Sequence, residues 1–182
     1  MIGRLIKKKL NANKLANVFV NSLLEATENG FDDVRAMINE DSAFVSNPEV
    51  CENSMDKFIL VIIVGNLRFL DDHFEVSEAK EIRTQIVRKF AHIYEMEEHK
   101  FEEVIQKYDA FVSRVNNPSK NTLYGMSKAV FHKFKLNEHQ ESYFKNMQTP
   151  NPLFLKRMDE IMMNFLWDWD EFFKKHKMSF AH

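Results

Sequence analysis

The sequence predicts an all-α fold, an irregular bundle of six or seven helices around a central apolar helix at about residues 55–74. Three observations predict it. Apolar residues recur at helical spacing along almost the whole chain. Four Gly and four Pro in 182 residues are too few for a turn-dense β-sandwich. The most apolar run, Phe58–Val64, continues its pattern through Leu67, Phe69 and Leu70, and no second strand-like run stands by to pair with it. The length suits one helical domain spanning residues 1–182, large enough to bury a sizeable core.

The elements follow in order. Ile2, Leu5, Ile6 and Leu10 share a helical face with Arg4, Lys7, Lys8 and Lys9 between them, so residues 1–12 read as a basic amphipathic arm. Leu15, Val18, Phe19 and Leu23 mark a helix running to about Asn29, with Gly30 suited to a left-handed C-terminal position. Phe31–Asn39 reads as a separate short helix with Asp32 and Asp33 in its first turn. Glu40–Asn53 holds Pro48 and is the best loop, with Phe44 and Val45 as its anchor. Asn53 or Ser54 then caps the apolar helix Met55–Phe74, where Gly65 permits a close crossing.

Ser77 is the expected cap of the next helix, buried through Ile82, Ile86, Phe90, Ile93, Phe101, Val104 and Tyr108. It runs to Val115 or breaks near Glu97, and Asn116, Asn117 and Pro118 stop it. A helix at about Ser119–Phe134 follows, then a short one from a capping box at Asn137–Gln140. Asn151 with Pro152 starts the last helix, which carries Leu155, Met158, Ile161, Met162, Phe165, Leu166, Trp169, Phe172 and Phe173.

The net charge of −2 conceals segregation. Residues 1–20 hold five bases and no acid, and residues 25–56 hold nine acids against Arg35 alone. The basic first segment is expected to lie near the acidic second one, with weak peripheral membrane contact by residues 1–14 as the sharper alternative. The near-neutral whole offers no general pull on nucleic acid. Cys51 is alone, so no intramolecular disulfide forms. No apolar run is long enough to span a membrane, no signal-peptide core is present, and Ile2 excludes myristoylation. A cytoplasmic protein is expected.

Several chemistries lack their motifs. There is no Gly-x-Ser-x-Gly, no Ser-x-x-Lys and no glycine-rich phosphate loop. Glu95, His99 and Glu103, spaced four apart, would share one helix face and offer a divalent metal two carboxylates and an imidazole. The Glu-x-x-His pairs of a di-iron bundle are missing, so a solvated face with favourable charge pairs is the expectation. Asp71, Asp72, His73 and Glu75 cluster without EF-hand spacing. A helix-turn-helix at Gly30 fails because the following segment is acidic.

Two apolar features remain. Met126, Phe131, Phe134, Phe154, Met158, Met162 and Phe165 offer adaptable walls, either an ordinary core or a pocket for an acyl chain or flat apolar ligand. In Leu166–Phe173, one helix cannot turn Leu166, Trp167, Trp169, Phe172 and Phe173 all inward, so aromatic surface should lie at the rim. The first functional expectation is therefore a non-catalytic protein-interaction module, a homo-oligomer or a partner of another helical protein, contacting through Trp167, Trp169, Phe172 and Phe173. The second is an apolar-ligand binder using Met162 and Phe165. A metal-dependent enzyme built on Glu95, His99 and Glu103 comes last. No cofactor is expected.

Overall fold

The computed structural model describes residues 6–180. The fold is all-α, with six helices of eleven residues or more. Residues 1–5, which include Ile2 and Leu5 of the expected arm, lie outside the described residues.

The arm departs from expectation where it is described. Lys8–Leu10 forms a short strand, β1, because Asn11 immediately starts the first helix by accepting the Lys14 amide at 2.9 Å. Helix α1, Ala12–Glu40, runs unbroken through Gly30 and absorbs the separate helix expected at Phe31–Asn39. Gly30 is there for close packing and not for a left-handed turn: a Cβ would stand 2.8 Å from the Phe165 ring. At 29 residues α1 is about 43 Å long. Among the described residues no ion pair joins the basic first segment to the acidic residues 25–56.

The next residues do form a loop. Asn39 exchanges two bonds with the Val50 backbone, at 2.8 and 3.0 Å, and Arg157 grips the Asp41 carboxylate at 2.6 and 2.7 Å. Burial raises the Asp41 pKa, but the bonds from Arg157 and the Ala43 amide outweigh it and leave the carboxyl below its ordinary value. Phe44 anchors the loop against Phe154, 5.0 Å between centroids, whereas Val45 is exposed.

Helix α2, Met55–Arg68, is buried along nearly all of its apolar run and lies at the centre of the bundle, as predicted. It ends earlier than Phe74; a bend at Phe69 leads into the short helix α3, Leu70–His73. Gly65 provides the close crossing. A Cβ there would overlap the Met126 sulfur.

Helices α4, Val76–Ile93, and α5, Glu98–Asn116, are joined by a tight turn in which Glu95 has a positive φ of 52°. The reciprocal cap of α4 uses Glu75 and Glu78 in place of Ser77. Arg83–Glu102 and Arg88–Glu98 ion pairs bridge α4 and α5. The Asn116–Pro118 stop holds, and Asn121 caps α6, Thr122–Lys133. The box expected at Asn137 is instead a 3-10 turn, Leu136–His139, and α7 begins later, at Ser142–Met147. Gln140 explains the shift. Buried, it bonds Asn137, the Thr149 carbonyl and the Asn151 amide, which ties the turn to the start of α8.

Asn151 and Pro152 open α8 as predicted, but α8 stops at Met162. A 3-10 turn, Met163–Phe165, and an extended stretch precede α9, Trp169–Lys175. Strand β2, His176–Met178, then pairs in parallel with β1, Lys8 opposite His176, and joins the two ends of the described chain.

Candidate functional site

The C-terminal aromatic segment is where sequence reasoning placed function. One continuous helix cannot bury all its rings, and the chain resolves this by breaking. The break is fixed by Asn66, a buried amide that follows the apolar run of α2. Its Nδ2 donates to the Phe165 carbonyl at 2.9 Å, and its Oδ1 accepts the Trp167 amide at 2.8 Å. Two backbone groups left without helical partners are thereby satisfied inside the protein.

The broken segment folds onto α1, α2 and α3. Met162, Phe165, Trp169 and Phe172 are buried, and Trp167 and Phe173 are half-buried. Trp169 is the hub. Its ring lies 5.2 Å from those of His73 and Phe74, 5.8 Å from those of Trp167, Phe172 and Phe173, and 6.2 Å from that of Phe19. The expected rim of exposed aromatics is thus mostly an inner cluster, because the bend lets both sides of the segment face the bundle. Sequence periodicity missed Asn66. The signal was present as the one amide among the apolar residues of α2, since a buried amide requires partners.

Met162 and Phe165 are buried in the packed core. Phe165 packs on Gly30 and Phe58, and Met126 fills the space over Gly65. The cleft bordering the segment is about 220 Å³ and is lined by Phe69, His73, Leu166, Trp167, Asp168, Trp169 and Asp170. Asp168 caps α9 by accepting the Glu171 amide at 2.8 Å, while Asp170 is exposed. The Trp167 indole N–H is buried without an acceptor among the described residues.

Charge forms a second site of interest. On α5 and α6 the Lys133 ammonium stands 4.2 Å over Tyr108 and 4.3 Å over Phe111, and Arg114 stands 5.2 Å over the same Phe111 ring. Burial, then Lys57 and Arg114, push the Lys133 pKa down, while burial, Lys128 and Arg114 do the same to His132. Burial, and after it the Asp56 carboxylate that borders this face, raises Tyr108 and lifts Tyr94 to about 12. Among the described residues, Lys57, Arg114 and Lys133 form no ion pair. The solvent side of α1 carries the opposite charge. Glu25, Glu28, Asp32, Asp33 and Glu40 recur at helical spacing and are exposed, and among the described residues only Asp32 of these pairs, with Arg35. The sequence showed the charge segregation but not which helices would carry the cations to one place.

The remaining candidates separate. Glu95 lies in the α4–α5 turn, so it shares no helix face with His99 and Glu103, and His99 pairs instead with Glu97 at 3.4 Å. Among the described residues no three His, Cys, Asp or Glu side chains converge as a metal site, the Asp71–Glu75 group included. A groove of about 650 Å³ between α1 and the α4–α5 turn has a mixed lining that includes Asn17, Arg88, His92 and Met96. Comparison of the chain with protein-family models, with curated proteins and with solved structures finds no match.

Proposed function

We propose that the protein is a non-catalytic interaction module that associates with a second copy of itself through faces of opposite charge. The observation that carries this reading is the gathering of Lys57, Arg114 and Lys133, which have no ion-pair partner among the described residues, in a chain whose α1 presents an acidic ridge. Like charges held together repel, and an acidic surface laid over them removes that repulsion. Tyr108 and Phe111 beneath the cations give such a contact an apolar floor. Single exposed ion pairs contribute only about 0.2–1 kcal/mol, so association through several is expected to be reversible and salt-sensitive.

The reading needs no cofactor. It is compatible with a cytoplasmic protein; no helix among the described residues is long and apolar enough to cross a membrane. Light scattering after size exclusion tests it. The wild type should exceed monomer mass at low salt and approach it at high salt. Lys57→Glu with Arg114→Glu should give a monomer throughout. Mixing that variant with Glu25→Lys/Glu28→Lys protein should restore association, since each then supplies one intact face. A wild type that is monomeric at low salt overturns the reading.

A further inference from the structure

We propose that the cleft between α3 and the start of α9 binds a small organic cation, a quaternary or alkylated ammonium group. Its lining is mostly aromatic and apolar, from half-buried Phe69, Leu166 and Trp167 with buried Trp169 and exposed His73, and its rim carries Asp168 and Asp170. Alkylammonium ions suit such a site. They are too large and too weakly hydrated to demand a full oxygen shell, they favour aromatic surface, and nearby carboxylates supply the opposing charge. The two indoles meet at 61° with centroids 5.8 Å apart, so they form adjoining walls and not a parallel stack.

Size narrows the ligand. At about 220 Å³ the cleft is smaller than the ~300–1,000 Å³ typical of pockets for drug-sized molecules. It accommodates one head group and no acyl chain. The charge also discriminates. Lys174 and Lys175 at the far end of α9 are engaged by Glu171, and neither Asp168 nor Asp170 has an ion-pair partner among the described residues. Asp168 is partly committed to capping α9, which leaves Asp170 as the freer carboxylate. An anionic ligand would meet two carboxylates, with the exposed His73 imidazole as the one basic side chain in the lining. The inference does not depend on self-association.

The chain has two tryptophans and both line the cleft, so intrinsic fluorescence reports on it directly. Choline chloride is titrated into the full-length protein at constant ionic strength, beside neohexyl alcohol, in which carbon replaces the charged nitrogen. A saturable emission change with choline is expected, with the alcohol binding about tenfold more weakly. Asp170→Asn, at an exposed position, should fold as wild type and weaken choline several-fold while leaving the alcohol unchanged. Phe69→Leu should weaken choline too. No saturable response to choline overturns the inference. So does equal binding of the alcohol, which would mark a merely apolar crevice, or wild-type choline affinity in Asp170→Asn.

Discussion

Helix α2 and the segment Leu166–Phe173 are both crowded with large apolar side chains, but they bury them by different means. In α2 the run from Phe58 to Val64 stays one helix, because neighbours surround it on every side. Met126 crosses at Gly65, and Phe31 and Phe165 pack on Phe58. The C-terminal segment lies at the bundle's edge, where a straight helix would leave half its rings in water. It breaks, and both halves turn inward. Apolar spacing therefore specifies a helix only where the surroundings can receive every face. At an edge, burial wins over helical continuity, provided the freed backbone groups find partners.

The comparison can be broken at either region. The largest effect is expected at the hub of the edge cluster: Trp169→Ala should cost about 3–5 kcal/mol, read as a shift in the urea midpoint. It should also release β2, since α9 runs directly into it. At the centre the sensitivity is to added volume. Gly65→Ala should cost about 1–3 kcal/mol, because Met126 is fully buried and cannot swing aside. Gly65→Ala with Met126→Ala should cost less than the sum of the two, a coupling that thermal melts will resolve.

Acid should act through His132. Its pKa is lowered by burial, then by Lys128 and Arg114, from an ordinary value of 6.5. The unfolded chain thus takes up a proton near 6.5 that the folded chain resists. Stability is complete above that pH and falls as pH drops through it toward the folded value. His132→Gln should flatten the decline in denaturation midpoint between about pH 7 and about pH 5. The smallest effect is expected at Trp167→Phe. The substitution removes a buried N–H that has no acceptor, which offsets the loss of ring area, so its net cost should stay within about 1 kcal/mol by chemical denaturation.

Much of the architecture was legible in the sequence. The all-α class, the buried α2, a loop within the expected Glu40–Asn53 stretch, the cap at Asn151 and the Asn116–Pro118 stop follow from local periodicity and local chemistry. What was not legible depends on partners distant in sequence. Gly30 read as a helix terminus because its packing reason, Phe165, lies 135 residues away. The basic arm read as a helix because its strand partner is at the opposite end of the chain. The same holds for the candidate sites. Trp167 and Trp169 were visible as an unusual pair, but the wall that Phe69 adds and the inward turn of Phe172 required Asn66 to be matched with a bend a hundred residues later. The charge segregation was countable, whereas the meeting of Lys57, Arg114 and Lys133 came from packing α2, α5 and α6 together.

One buried amide in α2, Asn66, sets the conformation of the aromatic edge. Asn66→Leu tests this most directly, with tryptophan emission and urea denaturation measured on the same samples. Leu keeps the volume but leaves the Phe165 carbonyl and the Trp167 amide unpartnered, at about 1–3 kcal/mol for each buried group. Emission should shift to the red as Trp167 and Trp169 gain water, with a loss of about 3 kcal/mol in stability. A variant with wild-type emission and wild-type stability would contradict that role of Asn66.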